Sequence, residues 1–182
     1  MLLNKIDVTP ILRAHFATLR DNRFEQVVSF PDLFVFFGFP LTVALTVQLI
    51  GFHFRIDAVN GFLYVFSILT GLLLNLLVLV ITLAANNSMP QTNSGKRTLL
   101  IKEIFANLCF SVLVAVVVVC TALVALSYMR SSQGATTGPV ATWLLSALTT
   151  NFVLNLFMIL KRMYILLNKE LQGDTSGQSR AA

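Results

Sequence analysis

Charge is what this chain has least of. Only 12% of its 182 residues are charged and 56% are hydrophobic, whereas about a quarter of the residues in soluble domains are charged. Four stretches, 33–54, 58–95, 104–129 and 131–160, contain no Asp, Glu, Lys or Arg. Each holds the roughly 20 apolar residues that a helix needs to cross a bilayer core of about 30 Å. The sequence therefore predicts an integral membrane protein.

The fold class that follows is all-α, because an isolated segment in lipid satisfies its backbone groups only as a helix. The clearest span is 61–85, which is long and wholly uncharged. We predict transmembrane helices at about 33–54, 59–85, 104–128 and 139–160, forming a bundle within residues 32–167. A cytoplasmic arm (1–31) precedes the bundle, an irregular loop (86–103) interrupts it, and a helical extension (161–172) and a disordered tail (173–182) follow.

The residues needed for most chemistry are also scarce. The two histidines, His15 and His53, are predicted on opposite sides of the membrane, and the two cysteines lie eleven residues apart on one helix, too far to bridge. No paired carboxylates, metal-spaced cluster or nucleophile beside a base stands out. We therefore expect no enzyme, no metal and no cofactor. Because the spans contain no Asp, Glu, Lys or Arg, ion-coupled transport is disfavoured as well.

The basic residues predict the orientation. Eleven of the thirteen Lys and Arg flank the spans on one side, in the N-terminal arm, the central loop and the C-terminal segment; only Arg55 and Arg130 lie on the other. The positive-inside rule then places both termini and the central loop in the cytoplasm of a bacterial inner membrane. The opening residues have no signal-peptide pattern, so the first span is expected to direct insertion. The net charge of +5 suits anionic lipid rather than nucleic acid.

The N-terminal arm contains a short amphipathic helix. Thr9 can cap it with Pro10 at its first position, and Leu12, Phe16 and Leu19 share one face. It either lies on the bilayer surface or docks on a partner or neighbouring subunit. The residues expected at the lipid interface are Arg13, Arg20, Arg23, Lys161 and Arg162.

Two local features shape the first hairpin of helices. Pro40 lacks a backbone donor, so a bend is expected near Phe36 and Phe37. The following turn alternates apolar and polar residues, which would bring His53, Arg55 and Asp57 together in an extended hairpin. This turn is either a solvated hairpin with a local ion pair or an external pH or ligand sensor built on His53.

Each span carries one row of small or polar residues at four-residue spacing, which places a row on one helix face. The rows are Gly38, Thr42 and Thr46; Ser67, Gly71 and Asn75; Asn107, Ser111 and Ala115; and Ala147, Asn151 and Asn155. Close approach at small residues and side-chain hydrogen bonds select which helix faces meet in lipid. The rows are expected to face one another, and either bond across the bundle or between subunits, or line a narrow polar path.

These observations favour a non-enzymatic, self-associating membrane subunit: a sensor, anchor or permeabilising effector that works with a cytoplasmic protein. The alternative is a small channel or passive transporter with an Asn/Thr/Ser-lined path. In layout the chain resembles the small four-span proteins that bacteria encode beside a cytoplasmic partner in phage-defence pairs such as Kiwa. That resemblance implies a role in antiviral defence.

Overall fold

The structure is all-helical, as the sequence predicts. A computed structural model describes residues 7–18, 34–85, 94–132 and 134–178, and the side chains of all these except 17, 18, 94–97 and 169–178. This part of the chain forms helices and no strand. The helices are α1 (Thr9–Thr18), α2 (Phe39–Leu49), α3 (Ile56–Ala85), α4 (Ser94–Ser131) and α5 (Pro139–Gln178), and a π-helical segment (Phe34–Gly38) leads into α2.

Three helices, α3, α4 and α5, are long and apolar enough to cross a membrane. The π-helical segment and α2 form a shorter apolar helix of sixteen residues, Phe34–Leu49. At 1.5 Å per residue it reaches about 24 Å, less than the roughly 30 Å of a hydrocarbon core. The described part of the chain thus contains three helices that could span a membrane and one shorter helix where the first span is expected.

The helix ends differ from the predicted span ends. Helix α2 stops at Leu49, five residues before the predicted end, and the chain then turns at Gly51 with a φ of +71°. Helix α4 starts at Ser94, so it includes the second half of the loop predicted at 86–103; residues 86–93 lie outside the described part. Helix α5 runs through the predicted extension and to Gln178, within the predicted tail. Hydropathy detects where the membrane lies, whereas a helix can continue into water.

The long helices pack through residues that repeat every seven positions. In α3 these are Val59, Phe66, Leu73 and Val80, and in α5 Leu145, Phe152, Ile159 and Leu166. Helix α4 has a row of buried residues whose spacing alternates between three and four positions: Ile101, Ile104, Leu108, Ser111, Ala115, Val118, Ala122, Ala125 and Met129. This 3.5-residue period is typical of left-handed helix packing. Phe66 and Phe152 meet with ring centroids 4.9 Å apart.

Helix α4 is central, since α1, α3 and α5 all pack on it, while α2 packs on α5. Charged residues mark one end of the bundle, which we call the basic end: Arg13, Lys102, Lys161 and Arg162. The opposite end, which we call the loop end, carries residues 50–55 and 134–138.

At the loop end the two connections bond to each other. The Phe54 N–H donates to Thr137 Oγ1 at 3.0 Å, and the Thr137 N–H donates to the Phe54 carbonyl at 2.8 Å. The expected hairpin of His53, Arg55 and Asp57 is therefore not formed: Arg55 pairs with Thr136, and Asp57 lies in the first turn of α3. His53 is half-buried, with Nδ1 3.4 Å from Thr142 Oγ1. The two connections pair with each other instead of forming this hairpin, because the pairing satisfies backbone groups in both connections.

Candidate functional site

Several polar contacts at the basic end, which we call together the polar network, join four elements of the bundle: α1, the π-helical segment, α4 and α5. Of the polar side chains in this region, His15, Asn107, Ser111 and Asn155 are almost fully buried. Burying such groups is costly unless they find partners, more so where neither lipid nor apolar side chains offer one. The network is thus the most constrained polar feature of the described chain, and we take it as the candidate functional site.

The network includes one ion pair between α4 and α5. Arg162 Nη1 lies 3.1 Å from Glu103 Oε2, and the two side chains are only 15% and 21% exposed. The sequence assigned Arg162 to the lipid interface; instead it turns inward and binds a carboxylate. Because the two helices run antiparallel, this contact also sets their register.

His15 anchors α1 to α4. The ring is 1% exposed, its Nδ1 lies 2.8 Å from Asn107 Oδ1, and it stacks on Phe110 with centroids 3.9 Å apart and planes 6° apart. Phe16 and Phe36 approach its edge, at 6.0 and 6.4 Å. Burial lowers the pKa of His15 below its ordinary value; the hydrogen bond with Asn107 opposes this, and the charge of Arg162 adds to it. Neutral His15 therefore fits this site.

Helix α1 consequently docks on its own bundle. Ile11 and Leu12 are partly buried against the core, and Arg13 is exposed. The N-terminal cap is Asp7 rather than Thr9, because the Thr9 N–H donates to Asp7 Oδ1 at 2.9 Å. Hydrogen bonds from the Thr9 side chain and from its backbone N–H lower the pKa of the Asp7 carboxyl. Of the residues predicted at the lipid interface, Arg13 and Lys161 are exposed at the basic end, and Arg20 and Arg23 lie outside the described residues.

Asn151 satisfies a carbonyl that Pro40 leaves open. In a regular helix the N–H of residue 40 would donate to the Phe36 carbonyl, and proline has no N–H. The Asn151 Nδ2 group of α5 donates to that carbonyl at 3.0 Å instead. The bend expected near Phe36 takes the form of the π-helical segment, and α5 bonds to this segment through Asn151. This hydrogen bond thus helps to fix how far α2 is shifted along the axis of α5.

Asn155 and Ser111 lie where α4 and α5 meet. Asn155 Nδ2 donates to the backbone carbonyl of Asn151 at 2.9 Å and to its Oδ1 at 3.0 Å. Asn155 lies seven residues before Arg162 on α5, and Ser111 lies eight residues after Glu103 on α4. Because α4 and α5 are antiparallel and Arg162 binds Glu103, Asn155 and Ser111 lie at nearly the same height in the bundle. Among the described residues, Asn155 Oδ1 and Ser111 Oγ are both buried without a hydrogen-bond partner.

Only the rows on α4 and α5 contain buried polar residues. Asn107, Ser111 and Asn155 are almost fully buried, and Asn151 bonds the Phe36 carbonyl. Thr42 and Thr46 are exposed and bond their own helix backbone, at the carbonyls of Phe39 and Thr42. The row on α3 differs most from the expectation: Ser67, Gly71 and Asn75 lie on the exposed face, and a Cβ added at Gly71 would meet nothing within 4 Å. The bulky heptad residues of α3 take the buried face because they fill the space beside α4.

His15 was not among the site residues predicted from the sequence. A signal was present, because His15 follows Ile11 and Leu12 by four and three residues and so shares their apolar face. Its acceptor Asn107 is 92 residues away, a separation that no local pattern can reveal.

The chemistry that this network supports is hydrogen bonding and charge pairing. Over the ranges that the structure describes, no group of three or more His, Cys, Asp or Glu side chains is placed to hold a metal ion. The amides, the imidazole and the ion pair instead fix how α1, α2, α4 and α5 sit together. Comparison with protein-family models, curated proteins and solved structures found no match to this chain.

Proposed function

We propose that the protein is a non-enzymatic membrane subunit that associates with a second copy of itself through α3. It crosses the bilayer four times with both termini in the cytoplasm, and serves as an anchor, sensor or permeabilising effector. The observation that carries this proposal is the position of Asn75, a polar amide on the outer face of an apolar helix.

Asn75 lies ten residues before the end of α3, about 15 Å inside a 30-residue apolar helix. It is directly opposite the buried stripe, since nine residues separate it from Phe66 and successive helical residues turn by 100°. Its side chain makes no hydrogen bond within the described part of the chain. An amide left to lipid costs several kcal/mol, so a partner across a helix interface would lower its free energy.

The neighbours of Asn75 on this face suit a second helix. Gly71 and Ser67 are one and two turns away and leave room for close approach of another backbone. Small residues spaced by four, with a polar residue in the same row, are typical of helix pairs in membranes. A two-fold interface would set Asn75 of each copy against the other.

The experiment measures the dimerisation constant of the full chain in detergent micelles or nanodiscs by energy transfer between labelled copies. Asn75→Leu should weaken association by about 3- to 30-fold, because an interhelical hydrogen bond contributes about 0.6 to 2 kcal/mol. Gly71→Leu should weaken it by blocking close approach. Asn75→Gln, which keeps the amide, should retain most of the affinity.

Val65→Leu is the matched control, because Val65 is exposed on α3 but away from the row. Its dimerisation constant should be unchanged. A wild-type chain that stays monomeric at all concentrations would refute the proposal, as would an Asn75→Leu variant that associates as tightly as the wild type.

The four-span topology is supported by the Phe34–Leu49 helix. It is apolar, packs on α5 and is followed by a connection that bonds the loop end. Reporter fusions after residues 90 and 182 should both report the cytoplasm, and a fusion after residue 133 the opposite side.

A cytoplasmic partner, in the phage-defence setting that the layout implies, would bind the basic end. Pulldown through a tag at the C-terminus tests this, with a variant that lacks residues 173–182 for comparison.

A small passive channel is the second candidate, and one observation favours it. Three buried oxygens on facing or neighbouring turns of α4 and α5 lack a hydrogen-bond partner among the described residues: Ser111 Oγ, Thr149 Oγ1 and Asn155 Oδ1. Such oxygens could bind water. If they line a path, the double variant Asn151→Leu, Asn155→Leu should abolish ion flux in liposomes while the protein still folds; unchanged flux would reject the channel.

A further inference from the structure

We propose that a groove between α4 and α5 at the loop end binds one acyl chain of a phospholipid, taken from the membrane leaflet on that side. This groove, which we call the lateral groove, is bounded on α4 by Cys120, Val124 and Tyr128 and on α5 by Pro139, Ala141 and Leu144. The proposal rests on the proposed function only in placing α4 and α5 across the bilayer; it does not depend on self-association through α3.

The lateral groove has the size and the chemistry of a site for an apolar ligand. Its volume is about 570 Å³, within the range of about 300 to 1,000 Å³ that is usual for ligand sites. None of its described lining residues is charged, and Thr121 and Tyr128 supply its hydroxyl groups. Thr121 Oγ1 donates its proton to the Val117 carbonyl of its own helix at 2.8 Å. The lining therefore favours a hydrocarbon over a polar molecule.

The position of the groove determines which hydrocarbon can reach it. It lies within residues 104–129 and 131–160, which contain no Asp, Glu, Lys or Arg, on two helices that are long and apolar enough to cross a membrane. The side chains of Val124, Tyr128 and Val140 are 69%, 68% and 71% exposed, so the groove opens sideways into the surrounding lipid. An empty groove would forfeit dispersion contacts along its walls, and lipid tails are the molecules at hand to fill it.

The shape of the groove suits a single chain better than a helix. It follows the helix axes, and the rise from Cys120 to Tyr128 is about 12 Å, in the direction in which lipid tails lie. Because α4 and α5 pack on each other, the groove is a furrow between axes that are typically about 8 to 10 Å apart. An α-helix with its side chains is about 10 to 12 Å across, so a helix of a second copy would lie over the furrow rather than in it.

Towards the basic end, the chain itself covers the same furrow. Val117 on α4 and Ala147 on α5 lie three residues from Cys120 and Leu144 in that direction, and they line a smaller cavity of about 300 Å³ that is walled by the π-helical segment and α2. Nearer still to the basic end, α1 packs on α4. These elements block access from the basic end, so a chain enters the lateral groove from the leaflet at the loop end.

Tyr128 places the mouth of the groove near the membrane surface. It is three residues from the end of α4 at Ser131, and tyrosine is enriched where the hydrocarbon core meets the headgroups. A phospholipid with one tail in the groove would therefore have its headgroup just beyond Tyr128.

The test is fluorescence quenching by phosphatidylglycerol brominated in its acyl chains, titrated into the full chain in maltoside micelles. Trp143→Phe removes the single native tryptophan, and Tyr128→Trp then places a reporter at the mouth of the groove. Its quenching should saturate at about one lipid per chain, as expected of a defined ligand site. The reference reporter is Val65→Trp, at an exposed position in the loop-end half of α3. Its quenching should rise in proportion to the lipid added, without saturating.

Two variants fill the groove from its opposite walls. Ala141→Phe acts from α5 and Val124→Phe from α4, and Val124 is exposed, so enlarging it leaves the core packing unchanged. Each should raise the lipid concentration for half-maximal quenching of the Tyr128→Trp reporter at least about fivefold, because a phenyl ring occupies space that the chain needs. Ala84→Phe is the matched control, since Ala84 is exposed on α3 outside the groove; its titration should equal that of the parent.

The proposal is refuted if the Tyr128→Trp and Val65→Trp reporters give the same unsaturated titration, or if Ala141→Phe and Val124→Phe both keep the saturable step. A Tyr128→Trp reporter that is shielded from lipid as the protein concentration rises would also refute it, by assigning the groove to a second copy.

Vesicles made of the brominated lipid test the membrane location separately. Strong quenching of Val65→Trp in these vesicles, without a saturable step at Tyr128→Trp in micelles, would reject the groove alone. A Val65→Trp reporter that the vesicles leave unquenched would reject the membrane location, and the groove with it.

Discussion

The basic end and the loop end of this bundle are both held by polar side chains, but in different ways. At the basic end, charged and amide groups from four elements far apart in sequence meet: His15 with Asn107, Glu103 with Arg162, and Asn151 with the Phe36 carbonyl. At the loop end, hydroxyls bond backbone or other hydroxyls, as Thr142 does with Thr137 at 2.6 Å. The first kind of contact specifies which helices pair, and the second ties the two connections at the loop end to each other.

This difference matters because hydrophobic residues give little specificity in a membrane. Leu and Val gain nothing by leaving lipid for the protein interior, so packing shape and hydrogen bonds decide which helices meet. The basic end carries most of that information, because its contacts join elements that are far apart in the chain. We therefore expect substitutions there to cost more than substitutions at the loop end.

The largest effect should come from breaking the ion pair. Glu103→Gln or Arg162→Gln should each lower the free energy of unfolding by about 2 kcal/mol, between the values for exposed and buried pairs, because the side chains are only partly exposed. Denaturation by SDS in mixed micelles measures this. Replacing both residues by leucine should cost less than the two single changes added together; strictly additive losses would contradict the pairing.

An intermediate effect is expected at the carbonyl that Pro40 leaves open. Asn151→Leu should cost about 1 to 1.5 kcal/mol, because the Phe36 carbonyl loses its only described donor. In a Pro40→Ala background the helix can supply an N–H to that carbonyl, so the same change should cost about 0.5 kcal/mol or less. Equal losses in both backgrounds, measured by the same denaturation, would show that the hydrogen bond is not what Asn151 contributes.

The smallest effects should be at the loop end. Thr142→Val removes a fully buried hydroxyl bonded to Thr137 and should cost about 1 kcal/mol. Ser146→Ala should cost less than about 0.5 kcal/mol, because Ser146 Oγ bonds only the Thr142 carbonyl within its own helix. If Thr142→Val instead proved as costly as loss of the ion pair, the contrast between the two ends would fail.

Parts of the network could be read from the sequence. The rows on α4 and α5 were found by their four-residue spacing; Asn107, Ser111 and Asn155 are buried, and Asn155 bonds Asn151. Pro40 pointed to an irregular helix near Phe36, where the π-helical segment lies. Such features can be found in a sequence because small and polar residues are rare in apolar spans, so their spacing stands out.

Other parts could not be read in this way. The row on α3 has the same spacing as the others but lies on the exposed face, and the buried stripe of Val59, Phe66, Leu73 and Val80 is indistinguishable by hydropathy from the leucines and valines that face outward. Arg162 looked like any basic residue at a membrane exit until Glu103 was placed beside it. In each case the deciding partner is distant in the chain.

The sequence by itself determined that the chain is helical and that it has long apolar segments able to cross a membrane, because long uncharged apolar runs can satisfy their backbone in lipid only as helices. Only the tertiary structure decided which face of each helix is buried, that α1 docks through His15 and that Pro40 and Asn151 act together. The physical reason is that an apolar side chain has nearly the same free energy in lipid and in the bundle. Which helix face is buried therefore depends on packing shape and on hydrogen-bond partners that come together only when the helices pack.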